Sequence, residues 1–175
     1  MIEFKIGDIL RAEPNGAPEA TKPGQMTAGS AALVVLMHRY LGGLMDPFVT
    51  LLEVHKLMYF MQEAGESLRL HYVKAPHGPY AENLQHVLRA IESHLVHVDG
   101  GDAFDMQIEL VPGAVKAAET FLVSDGATRI RFERVGKLIE GFETPCGLEL
   151  LATVHWVASR GNVSNAGDVI AKVYA

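Results

Sequence analysis

The chain has 175 residues, 49% of them hydrophobic and 21% charged, the usage of one globular domain with a sizeable core. Fifteen Lys and Arg against 21 Asp and Glu leave a formal net charge of −6, so affinity built on neutralising nucleic-acid phosphates is not expected, and a basic partner is more natural. Cys146 is the single cysteine, no opening segment has the charged and apolar regions of a secretory signal, and the longest apolar run, Ala31 to Met37, is far below the roughly 20 residues that cross a bilayer; a soluble, cytoplasmic protein without disulfide or membrane contact is expected.

Met1 to Leu10 reads as a short strand, with Ile2, Phe4 and Ile6 alternating against Glu3 and Lys5. Arg11 to Ala28 has the aperiodic Pro, Gly, Ala, Thr and Glu composition of a linker. From Ser30 the pattern turns helical: Leu33, Leu36, Met37, Tyr40, Leu41 and Leu44 share one face, which ends at Gly42-Gly43. A second helix is expected from near Pro47 to Gly65, with Leu51, Val54, Leu57, Met58 and Met61 inward and Glu53, Lys56 and Glu63 opposite. Leu68 to Val73 alternates and predicts a strand with one solvated face, leading into a loop at Lys74 to Gly78.

Pro79 fits the first position of a helix, where its missing N–H costs nothing, and Tyr80, Leu84, Val87, Leu88, Ile91 and Leu95 then mark one stripe. Asp99-Gly100-Gly101-Asp102 separates Leu95 to Val98 from Met106 to Val111, which predicts a β-hairpin. Helices follow from Pro112 through Val123 and from about Thr128 to Phe142. Thr144 and Pro145 form an N-cap and N1 pair before Gly147 to Arg160, which is apolar nearly all round and is therefore expected to be the buried central helix. Ser164 starts a last helix that runs to Ala175. The expected class is α+β, mainly α-helical: six or seven helices around a buried central helix, with a small β-sheet or hairpin.

Eight histidines invite a metal hypothesis, but there is no HExxH and no CxxC, and His94 and His97 would need distant carboxylates to complete a ligand set. No metal site is expected. His155, on an apolar helix, reads as a hydrogen-bonded core residue. Cys146 lies beside a helix start that lowers a thiol pKa, yet it has no His partner in sequence, and a buried, inert cysteine is the simpler reading. With no GxSxG elbow, Walker A or Rossmann glycine pattern, the residues imply no catalytic group, no cofactor and no small-molecule substrate.

Two segments point to recognition instead. Between Lys74 and Leu84, two prolines and a glycine stiffen a loop, so Lys74, His77, Glu82 and Asn83 are displayed at low ordering cost. The alternative is that Gly78 and Pro79 merely start a helix and Tyr80 fills the core. Glu140, Glu143 and Glu149 surround the turn from Gly141 to Pro145, and carboxylates on a rigid surface can stand where phosphates lie in a basic groove; the alternative is a solvated face. The basic run Arg129, Arg131, Arg134 and Lys137 is too short, in an acidic chain, to imply direct DNA binding by itself.

The stretch from Ala31 to Ala158, above all Ala31 to Leu41, Pro47 to Met61, Lys74 to Leu84 and Gly141 to Trp156, resembles the C-terminal domain of the DarG family of DNA ADP-ribosyl glycohydrolase antitoxins. Lys56 to Phe60 and Gly78-Pro-Tyr80 more loosely resemble the mainly helical Panacea-type antitoxin domains. In the DarG family an N-terminal macrodomain removes the ADP-ribose that the DarT toxin attaches to thymidine in single-stranded DNA, and the C-terminal domain binds DarT by imitating its DNA strand. Met1 to Leu10 is similar to the first macrodomain strand and Arg11 to Ala20 to the linker after it, with nearly everything between missing. The resemblance thus implies a macrodomain vestige at 1–10, a linker at 11–28 and a toxin-binding domain at 29–175. It implies a non-enzymatic antitoxin module that binds and blocks a DarT-like toxin at its single-stranded DNA site. Lys74, His77, Glu82, Asn83, Glu140 and Glu143 are the expected contacts. The alternative is a nucleic-acid-binding transcriptional regulator using Arg129 to Lys137 with the hairpin as a wing.

Overall fold

A computed structural model describes residues 25–44, 47–100 and 106–173. The strand expected at Met1 to Leu10, the linker as far as Gly24, the Gly101-Asp102 part of the hairpin turn and the last two residues of the terminal helix lie outside them. The described residues form seven helices and two small antiparallel sheets, an α+β fold that is mainly helical.

Helix α1, Ala28–Leu44, is buried without a break from Ser30 to Met37 and again at Tyr40, because α4 (Ala114–Ser124), α5 (Gly126–Ile139) and α2 (Leu51–Glu63) all pack on it. It runs through Gly42-Gly43 rather than stopping there. Helix α2 starts later than Pro47, since Val49 and Thr50 form strand β1 and pair with β5, Gln107–Leu110. Thr50 then closes a capping box: its hydroxyl accepts from the Glu53 N–H, and the Glu53 carboxylate accepts from the Thr50 N–H at 2.7 Å. The expected hairpin is present, with β4 (Val96–Asp99) antiparallel to β5 and the sheet order β1-β5-β4.

Three further expectations are corrected by the fold. The central buried helix is α2, in which every residue from Glu53 to Met61 is buried, and not α6 (Pro145–Arg160), whose Leu150 is 49% exposed and whose buried face is only Leu148, Leu151, Ala152 and His155. Period alone mistook Glu53 and Lys56 for a polar side, although each has a buried partner.

Leu68 to Tyr72 is not a strand, because Arg69 adopts φ 56° and interrupts the extended run. Side-chain amides take the place of a neighbouring strand there: Gln62 both donates to and accepts from the Leu70 backbone, and Asn83 accepts from the His71 N–H at 3.0 Å and donates to the Arg69 carbonyl at 2.8 Å.

Pro79 does not open a helix. Strands β2 (Val73–Ala75) and β3 (Gly78–Tyr80) form a hairpin around Pro76-His77, with Lys74 opposite Pro79, and α3 begins only at Leu84 and ends at Ile91. Gly78 at φ +82° makes this tight turn possible. The terminal helix α7, Ala166–Val173, packs on α6. No helix among the described residues is long and apolar enough to cross a membrane.

Candidate partner-binding surface

The β2–β3 hairpin is held from below by α2. Lys56, 2% exposed, donates from Nζ to the Pro79 carbonyl at 2.9 Å, and the loss of water around its ammonium pulls its pKa from the usual 10.5 to about 8, against an opposing pull from Glu149. His55 stacks on the Tyr80 ring at 4.0 Å, and its Nδ1 accepts from the Ala81 N–H at 3.3 Å. Its Nε2 is buried with no hydrogen-bond partner, and burial, with Lys56 next to it, lowers the imidazole pKa to about 3, so the ring stays neutral. Tyr72 ties in the preceding segment by donating to the His55 carbonyl at 2.9 Å. Each of these contacts limits the freedom of an otherwise exposed hairpin.

Helix α6 is locked to α2 by a second polar cluster. The Tyr59 hydroxyl and His155 Nδ1 lie 2.7 Å apart, and Arg160 reaches the same hydroxyl at 3.0 Å while pairing with Glu63 and lying 4.2 Å over the Trp156 ring. His155 is thus a hydrogen-bonded core residue, as its apolar helix implies; burial lowers its pKa. The start of α6 is fixed by Thr144, whose hydroxyl accepts from the Gly147 N–H at 3.0 Å, with Pro145 at N1. Cys146 is exposed there, contrary to the buried cysteine expected, because it falls on the outward side of the first turn.

These scaffolds place the six expected contact residues in two groups, the first running from the β2–β3 hairpin to the start of α3. Lys74 on β2 and His77 in the turn are exposed, and His77 Nδ1 lies 3.5 Å from the Glu149 carboxylate on α6. Glu82 is exposed just before α3. Asn83 is spent internally, its amide being the clasp on residues 69 and 71 described above. The second group sits at the turn between α5 and α6. Glu140 is exposed, and Glu143 folds back so that its carboxylate accepts from the Gly141 N–H at 2.7 Å while its stem lies across Gly43 of α1. Phe142, 37% exposed, stands between the two carboxylates in the chain.

The basic run is split. Arg131 turns inward to Glu66, 3.0 Å away, where Thr128 also donates; Arg129, Arg134 and Lys137 remain outside around Ile130 and Glu133 in a shallow groove of about 220 Å³. Sequence reasoning missed Lys56, His55, Tyr59 and Arg160 as positioning groups. The available signal was that polar residues interrupt α2 while apolar ones occur on every side of it. Among the described residues no group of three or more His, Cys, Asp or Glu is arranged to hold a metal ion.

No protein-family model matches the chain. A DNA ADP-ribosyl glycohydrolase of Thermus aquaticus is 44% identical over 139 residues, which is 79% of this chain and 38% of that protein. The chain is similar to DNA ADP-ribosyl glycohydrolases. Those of Mycobacterium tuberculosis and Mycobacterium bovis are each 34% identical over 183 aligned positions, covering 95% of this chain and 52% of the relative. The chain therefore spans between 38% and 52% of the length of these DNA ADP-ribosyl glycohydrolases.

Proposed function

We propose that this chain acts as a binding module, the counterpart of the C-terminal, toxin-binding domain of DarG-type DNA ADP-ribosyl glycohydrolases, with residues 29–175 as the module and no hydrolysis by these residues. Its partner is a DarT-like DNA ADP-ribosyltransferase, blocked by occupation of its single-stranded DNA site. The observation that carries this reading is the α5–α6 turn, where Glu140 and Glu143 flank a partly exposed Phe142 and Glu143 is fixed by the Gly141 N–H. A groove that receives single-stranded DNA offers cations to phosphates and apolar surface to bases. Carboxylates with an aromatic ring between them complement both, and fixing them beforehand lowers the ordering cost of binding.

Lys74, His77 and Glu82 form a second contact area on the hairpin side, and Asn83 acts there by shaping the backbone. The likeness to named DNA ADP-ribosyl glycohydrolases supports the toxin context. The test is to mix the purified chain with such a toxin, nicotinamide dinucleotide and a thymidine-containing single strand. Stoichiometric loss of DNA modification with a stable protein complex is expected; undiminished modification without a complex would end the proposal.

A further inference from the structure

Between the β2–β3 hairpin and helices α6 and α7 lies a cleft of about 480 Å³, within the roughly 300–1,000 Å³ of small-molecule sites. Its walls are largely apolar, including Pro76, Val157, Val173 and the Trp156 indole, and among the described residues the charged groups that line it are Lys74 and Lys172. A third cation stands behind it. Lys56 Nζ lies 3.7 Å from where a Cβ on Gly78 would be, and the Thr153 hydroxyl, itself in the cleft lining, lies 2.7 Å from that same point. Lys56 donates to the Pro79 carbonyl and Lys172 to the Gly161 carbonyl, one acceptor each for ammonium groups with three donors. Two lysines thus line one largely apolar hollow, and a third is buried behind it, in a chain whose net charge is −6.

Cations beside low-dielectric walls attract a bound anion more strongly than they would in open water. Lysines act as point charges that suit a phosphate, whereas planar carboxylates are read best by the arginine fork, and no arginine among the described residues lines the cleft. We propose that the cleft binds a small phosphate-bearing molecule with a flat or apolar body, the chemistry of a mononucleotide. Its phosphate lies toward Lys74, Lys172 and the Thr153 hydroxyl, and its body lies against Trp156 and Val157. Toxin binding is no premise of this proposal, and its test contains no toxin.

Trp156 is the sole tryptophan of the chain and lines the cleft, so its fluorescence reports occupancy. The full chain is titrated with AMP, adenosine and inorganic phosphate. AMP is expected to give a saturable change, with adenosine and phosphate each at least about tenfold weaker, because each lacks one half of the recognition. Lys74→Ala and Lys172→Ala, with unchanged circular dichroism, are each expected to weaken AMP binding about tenfold, the effect of losing one charge-assisted hydrogen bond. No saturable change with AMP, equal binding of AMP and adenosine, or indifference to both substitutions overturns the proposal. Tighter binding of a 5′-phosphorylated oligonucleotide than of AMP also overturns it, by assigning the cleft to a DNA end.

Discussion

Lys56→Met removes the charge buried beneath the hairpin while keeping the length of the side chain. Lysine in an unfolded chain titrates near 10.5, and here burial holds it at about 8; at 1.36 kcal/mol per unit this gap is worth about 3 kcal/mol. Because the folded pKa is the lower one, the penalty is present in full below pH 8, where both states are protonated. It fades as pH rises from 8 to 10.5, where the folded protein has lost the proton and the unfolded chain still binds it. Against this, the Met variant leaves the Pro79 carbonyl without its donor, a loss of about 1 kcal/mol. The variant should therefore be about 2 kcal/mol more stable than the parent at pH 7, and the advantage should vanish by pH 10. Urea unfolding of both proteins across pH 7 to 10 measures it, and taking the difference cancels the tyrosines, whose raised pKa values act only above that range. A difference that does not change with pH would refute the buried-charge argument.

Acid should act through His55, whose folded pKa of about 3 lies below the usual 6.5: stability is full above pH 6.5 and falls by about 5 kcal/mol as pH drops toward 3, a slope that His55→Gln should flatten in acid unfolding curves. Tyr59→Phe strips His155 and Arg160 of a shared partner and should cost about 1–3 kcal/mol in urea melts, with a change below about 0.5 kcal/mol contradicting the proposed lock. Gly78→Ala combines positive φ with a Cβ 2.7 Å from the Thr153 hydroxyl and should cost about 1–3 kcal/mol; adding Thr153→Ala should restore only the steric share, which thermal melts of the three variants separate.

What was legible in the sequence follows from how local each cause is. The cap at Thr144-Pro145, the β4–β5 hairpin and the apolar face of α1 depend on neighbours within a few residues and appear where expected. The identity of the central helix depends on which polar residues find partners far along the chain, as Tyr40 does with Glu53 and Lys56 with Pro79. Hydrophobic period carries no information about such pairs, so α2 looked two-faced and α6 looked buried. The Lys74-to-Tyr80 segment shows the same limit. Its prolines and glycine marked it as stiff, but whether Pro79 opened a helix or lay in a strand was decided by the register with Lys74 and by the amine below. The acidic turn was visible as composition, whereas the fixing of Glu143 by Gly141 depends on a backbone at φ +86°.

The central claim, that this chain occupies the single-stranded DNA site of a DarT-like toxin through the α5–α6 turn, is tested most directly by competition. A labelled thymidine-containing oligonucleotide is bound to catalytically inactive toxin and displaced with the chain. The account predicts mutually exclusive binding, with Glu140→Lys and Glu143→Lys together weakening the chain's affinity by about 2–5 kcal/mol if both carboxylates are desolvated on binding. A ternary complex of toxin, oligonucleotide and chain, or an affinity untouched by the two charge reversals, would contradict it.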